Sequence, residues 1–569
     1  MLRILLIALS FAGALSATQA SAQSASGPYL AGRHAAVNSD YREAASYYAQ
    51  ALARDPANVE LMESAVLSYL SLGQIDKALP LARVLETKNG NSQVARLVMT
   101  AGLAQQEDYA ALLERPASTD GLERWIDTLI RAWAQVGLGN MAAAQTTFDA
   151  LGSEAGMQGF VLYHKALALA STGDFAGAEA IFGGAAAGAA GQTRRGVMAH
   201  AEVLAQLGKH DEALTVLRTS FGDATDPELD GLIAALEAKK DVPFTHASDA
   251  RAGMAEVFFT FSAVLRNENA GDYFVLLYAR IARHLSPEHV DAVLLTADLL
   301  EDLGQYDLAI EVYKDVPADD PAYHVAELGR AGALRQEGKV DQAVEVLEQL
   351  TRSHGELAVV HSTLGDVLRG EDDFAGAIAA YDRAIELAAP TAPSRWVLFY
   401  SRGIAHERSG NDAAMEKDFR AALALNPDQP QVLNYLGYSL VEQKRNLDEA
   451  LDMIERAVAA SPTSGYIVDS LGWVLYRLGR YEEAVAQMER AVELLAVDPV
   501  VNDHLGDVYW AVGRDREAEF QWRRALSFID KEDNDSEAEP DRIRRKLEVG
   551  LDVVLEEEGA PPLKVANDL

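Results

Sequence analysis

The chain has 569 residues, 86 acidic and 50 basic, and a formal net charge of −36. Apolar residues at 49% and charged residues at 24% exclude wholesale disorder, while the length exceeds what one compact core serves. The acidity excludes a nucleic-acid binder, which needs a basic excess to meet phosphate; the absence of cysteine excludes disulfides, thiolate metal centres, cysteine nucleophiles and a lipid anchor attached through cysteine.

Residues 1–22 read as a secretory signal peptide. Arg3 supplies the positive start, residues 4–15 a short apolar run, and Ala20-Ser21-Ala22 a small-x-small cleavage pattern that leaves Gln23 first in the mature chain. No later stretch approaches ~20 apolar residues, so an exported, soluble, periplasmic product is predicted. Residues 23–221 form a first block, in which a glycine followed five residues later by alanine recurs at Gly73/Ala78, Gly139/Ala144, Gly173/Ala178 and Gly208/Ala213. Residues 93–124 keep helical patterning without that frame, and 183–191 are a low-complexity connection. Residues 222–252 mix turn formers with a weak helix and read as a joint between two blocks.

The second block, 253–530, carries the frame more fully. Gly304, Ala309 and Tyr313 are followed at 34-residue intervals by Gly338, Ala343 and Leu347, then by Asp372, Ala377 and Tyr381. Gly479, Ala484 and Met488 are likewise followed by Gly513, Ala518 and Trp522. A Leu-Gly pair lies upstream in several units: Leu364-Gly365, Leu436-Gly437, Leu471-Gly472 and Leu505-Gly506. Residues 531–569 hold an acidic linker, a helix near 542–557 and a tail. That helix repeats Ile543, Leu547, Leu551 and Leu555 at every fourth position. Its basic start (Arg542, Arg544, Arg545, Lys546) and acidic end (556–558) oppose the helix dipole, so it depends on packing and reads as a cap on the last unit.

This frame resembles the tetratricopeptide repeat, a 34-residue helix–turn–helix unit. The resemblance implies an all-α superhelical solenoid in two blocks with a C-terminal capping helix. The physics agrees: small residues at the eighth and twentieth positions let paired helices approach, and the glycine near position fifteen permits a left-handed turn. One pair cannot bury its own apolar face, so stacking is obligatory.

The sequence offers no P-loop, no Gly-x-Ser-x-Gly elbow, no dinucleotide fingerprint and no His-Glu-x-x-His pair. A non-catalytic protein without cofactor or metal is predicted. What remains is the surface made by successive first helices, lined by the fifth, ninth and twelfth positions of each unit. These positions hold Ser362, Asp366 and Arg369; Asn434, Tyr438 and Val441; Asp469, Trp473 and Tyr476; and Asp503, Asp507 and Trp510. They form an acidic ladder interleaved with aromatics, suited to a basic or extended polypeptide. Tyr476 and Trp510 are divided between groove and core, and Tyr438 and Trp473 lean to the groove.

Segments such as Leu433-Asn434-Tyr435-Leu436-Gly437-Tyr438, Asp469-Ser470-Leu471-Gly472-Trp473 and Asp503-His504-Leu505-Gly506-Asp507 resemble a proteobacterial envelope family. Its better-known member is an outer-membrane lipoprotein that binds and activates a carboxyl-terminal processing protease. The resemblance implies a protein partner of that kind. This chain departs from that member in lacking the lipidated cysteine. The alternative is a structural subunit of an outer-membrane assembly or polysaccharide-export complex.

Overall fold

The computed structural model describes residues 25–89, 91–118, 121–154, 156–184, 192–222, 226–529, 538–560 and 563. The expected signal peptide, most of the 183–191 connection and most of the acidic linker lie outside these residues. The described residues form 31 helices and no strand. The chain divides into two compact units, residues 1–346 and 347–569.

Both units are stacks of antiparallel helix pairs, and the contact that sets each pair is small against large. In the second unit the first helix carries a glycine where the second presents a bulky side chain. A Cβ added at Gly365 would lie 2.7 Å from the Tyr381 ring, at Gly403 2.6 Å from the Phe419 ring, and at Gly506 2.4 Å from the Trp522 ring. Any larger residue would push the two helices apart. The turn glycines of the frame, among them Gly73, Gly304 and Gly479, have φ between 68° and 86°, the left-handed geometry that ends a first helix. Asp372 takes the same geometry at φ 59°. In the pair Pro430–Glu442 and Leu447–Ala460 the turn is one residue longer, with Lys444 and Asn446 both at positive φ. Gly437 consequently meets Ile454, 17 positions on, whereas Gly472 meets Met488, 16 on.

In the first unit the irregular stretch 93–124 is a truncated pair, Gln93–Gln105 with the six-residue helix Tyr109–Glu114. The helices that follow the stretch 222–252 fold back on earlier ones within the first unit. The region holds the helix Pro227–Glu237 and an extended run pinned by buried Glu202. Glu202 accepts from the Thr245 backbone N–H (2.9 Å) and hydroxyl (2.7 Å) and pairs with His246 Nδ1 (2.9 Å).

The helices Ala250–Asn267 and Asp272–Leu285 then lie across the first helices of preceding pairs. The former packs on Gly121–Gly137 and Gln158–Ser171, the latter on Val59–Ser71 and Gln93–Gln105. Gly253 makes the crossing possible: a Cβ there would lie 2.3 Å from the buried Trp133 ring. Glu256, fully buried on the same face, accepts from the Tyr163 hydroxyl (2.7 Å) and from Arg195 Nη2 (2.8 Å), and pairs with His289 Nε2 (2.9 Å). Burial opposes its charge, but Arg195 and His289 prevail and hold its carboxyl well below the usual range. The folded-back hairpin therefore covers the first helices between residues 59 and 171.

In the second unit the expected continuous helix over 542–557 is two helices, Pro540–Val549 and Leu551–Glu557, broken at Gly550 (φ 84°). The break turns the adverse dipole arrangement into a hairpin of ion pairs, Arg542 with Glu558 (2.8 Å) and Arg545 with Glu557 (2.6 Å). Ile543 and Leu551 bury into the core of the last repeats, as a cap requires.

In the first unit His164, fully buried beside the helix Ala250–Asn267, has its pKa drawn down to about 4, by burial against the opposing pull of Glu256. The unfolded imidazole takes up its proton near 6.5 and the folded one resists until about 4, so acidification favours unfolding across that window. Stability of the first unit is predicted to fall as pH drops from about 6.5 to 4, and His164→Gln to lessen the slope. Urea melts at a series of pH values measure this; an unchanged slope in the variant contradicts it.

Candidate functional site

The first helices of the second unit are Ala358–Gly370, Arg395–Arg408, Pro430–Glu442, Gly465–Arg477 and Pro499–Ala511. Along them the fifth, ninth and twelfth positions form one row, of which Val441 and Tyr476 are buried in the core. The structure divides the candidate residues into three groups along this row.

At the near end Asp366 is exposed and accepts the Tyr381 hydroxyl at 2.7 Å, with Arg369 at 3.5 Å. Burial first, then the Asp366 charge, raises the Tyr381 hydroxyl and keeps it a donor.

In the middle lies a cleft lined by Glu407, Asp412, Tyr438, Glu442, Trp473 and His504. Trp473 is its central side chain. Its indole stacks on His504 at 4.0 Å and 16° and on Tyr476 at 4.9 Å and 17°, and its Nε1 donates to Glu442 at 2.8 Å. Asp469, buried beneath, pairs with His504 Nδ1 at 3.0 Å. Burial disfavours the imidazolium, but Asp469, Asp503 and Asp507 outweigh it and raise the His504 pKa. The His504 ring lies flat on the indole face. Tyr476 is itself buried, its hydroxyl raised by burial and by Asp507. One turn below Tyr438, Asn434 holds its Oδ1 buried and without a hydrogen-bond partner. The cleft therefore offers aromatic rings and carboxylates.

At the far end Asp503, Asp507 and Trp510 do not face a free groove. Lys546 of the terminal hairpin, its side chain fully buried, reaches Asp503 at 2.9 Å and Asp507 at 2.6 Å. The Trp522 indole also donates to Asp507 at 2.9 Å. Trp510 donates to Asp552 at 3.0 Å, and a Cβ at Gly550 would lie 2.6 Å from its ring. The basic ligand that these acids select is the chain's own. Asp503 has a raised carboxyl pKa because burial, with Asp507 beside it, outweighs the attraction of Lys546. Sequence reasoning missed His504, Glu442 and Lys546 as members of this row. The usable signal for Lys546 was the basic cluster at the wrong end of its helix.

Lys546→Met is predicted to leave two adjacent buried carboxylates without their cation and to destabilise the last repeats by about 3–5 kcal/mol. Adding Asp503→Asn and Asp507→Asn to it should recover most of that loss. Thermal melts of the single and triple variants test the pair of effects; equal melting of Lys546→Met and the parent chain contradicts them.

Among the described residues no group of His, Asp and Glu side chains is arranged to hold a metal ion, and no helix is long and apolar enough to cross a membrane. Tetratricopeptide repeat models match residues 29–94, 276–324 and 400–465, and further models of the same description match 195–219, 304–367 and 467–495. A curated TPR repeat-containing protein of Pseudomonas aeruginosa is 29% identical over 174 residues, which span 30% of this chain and 28% of that protein. Among solved structures, the APC/C hetero-tetramer Cut9–Hcn1 is similar at 16% identity and a TM-score of 0.38, over 95% of this chain and 99% of that one. A tetratricopeptide repeat protein from Parabacteroides merdae is similar at 16% identity and a TM-score of 0.35, over 45% of this chain and 96% of that one. The matched segments fall in both units, so the chain carries tetratricopeptide repeats in each.

Proposed function

We propose that the chain is an exported, non-catalytic adaptor, mature from Gln23, that holds a protein partner in the Trp473 cleft and brings it to an envelope protease or activates that protease itself. Tetratricopeptide repeats are protein-interaction scaffolds in general, and that much follows from the repeats alone. One observation supports the choice of cleft. In both units the chain's own segments lie against part of the first-helix row, whereas Tyr438, Glu442 and Trp473 line a cleft. The neighbouring positions hold a lysine-bearing helix, with the Lys546 ammonium on Asp503 and Asp507, and this supports a basic segment as the ligand of the row. The partner segment is accordingly basic or amide-rich.

The protease assignment rests on the resemblance of the 433–438, 469–473 and 503–507 segments to the envelope family. The structural subunit of an outer-membrane or export complex uses the same repeats with a different partner. Affinity capture from an envelope extract with the parent chain and with Trp473→Ala decides between them. A carboxyl-terminal processing protease is expected on the parent chain, its affinity falling by a factor of about 30 or more in Trp473→Ala, a loss of about 2 kcal/mol, with the helical circular dichroism unchanged. Export or assembly components alone contradict the protease, and undiminished affinity in a folded Trp473→Ala chain contradicts the cleft.

A further inference from the structure

An uncompensated arginine lies in the first unit, far in sequence from the cleft. Arg280, on the helix Asp272–Leu285, is only 3% exposed. Its Nε donates to the Ser71 carbonyl oxygen at 2.9 Å, where the helix Val59–Ser71 ends. Beyond that end stands Gly73 (φ 73°); a Cβ there would come within 3.4 Å of Arg280 Nη1. The guanidinium is thus held by a backbone carbonyl on one edge, in a place where a side chain at 73 would crowd it.

In a chain with 86 acidic residues, none of the described ones pairs with Arg280. Each carboxylate nearby is engaged elsewhere. Asp315 pairs with Arg283. Glu311 pairs with Arg42 at 3.0 Å, and Asp307 with the same arginine at 3.1 Å. Burial, with Arg283 and Arg42 adding like charge against Tyr41 and Glu311, draws the Arg280 pKa down to about 9. A buried cation without a counter-charge is costly, and proteins ordinarily pair it. The cleft beside it is lined by Gly73, Arg280, Arg283, His284, Pro287 and Asp315. His284 holds its Nε2 buried and without a hydrogen-bond partner.

We propose that this cleft binds an oxyanion, a carboxylate or phosphate group received by the free edge of the Arg280 guanidinium with His284 as a second contact. The guanidinium fork presents parallel N–H donors at the spacing of two oxygens of either group, which a lysine does not. The site lies on the second helix of the folded-back hairpin, so it is independent of the Trp473 cleft and of the adaptor reading.

The test is thermal melting of the full chain at constant ionic strength, with chloride replaced stepwise by inorganic phosphate or by acetate. Either anion is expected to raise the melting temperature saturably, and the more effective one identifies the group. Arg280→Met should abolish the rise. Arg280→Lys, which keeps the charge and loses the fork, should weaken half-saturation roughly tenfold. If Arg280→Met fails to fold, the Arg280→Lys and His284→Ala titrations carry the test. No saturable rise with either anion in the parent chain overturns the proposal, as does the same half-saturation in Arg280→Lys and His284→Ala as in the parent.

Discussion

A helix pair of this kind cannot cover its own apolar face, and what covers it decides the rest of the molecule. Within a pair, glycine against a large ring or branched chain, as at Gly365–Tyr381 and Gly506–Trp522, sets how closely the helices approach. Between pairs, the next pair does the covering. In the first unit the helices 250–267 and 272–285 also turn back over the first-helix face, with Gly253 on Trp133 and Glu256 beneath. In the second unit the terminal hairpin closes the last pair through Ile543, Leu551 and Lys546.

The electrostatics follow from the same covering. A strongly acidic chain that buries carboxylates must supply cations from within itself. Arg195 answers Glu256 and Lys546 answers Asp503 and Asp507, while His289 and His504 make hydrogen-bonding contacts with Glu256 and Asp469. The acidic ladder is thus largely an internal matter at its far end. What it leaves toward the middle is an aromatic cleft rimmed by carboxylates.

Much of this was legible in the sequence because it is local. The frame glycines, the Leu-Gly pairs and the apolar repeat of the last helix report contacts made within about 20 residues, and their geometry followed from residue size and backbone freedom alone. What escaped was long-range. Nothing in the segment 250–285 distinguishes a pair that merely continues the stack from one that folds back on residues 59–171; only the match of Gly253 to Trp133, 120 positions earlier, does so. Asp503 and Asp507 looked open because their cation lies some 40 residues later, behind a linker. The break at Gly550 was missed because the apolar period runs through it without interruption, while the turn serves the Trp510 ring from another helix.

The central claim, that the first unit's groove is covered by its own chain between residues 59 and 171 while the second unit's is accessible at its near end, is tested most directly by thiol labelling, because the chain has no cysteine of its own. Ser71 is fully buried, with its carbonyl held by Arg280 of the folded-back hairpin; Ser362 sits at an exposed groove position. With one cysteine at a time, Ser71→Cys should react with a soluble maleimide at least about 100-fold more slowly than Ser362→Cys, since it must await local opening of the hairpin. Comparable rates at the two positions in the folded chain would contradict the account.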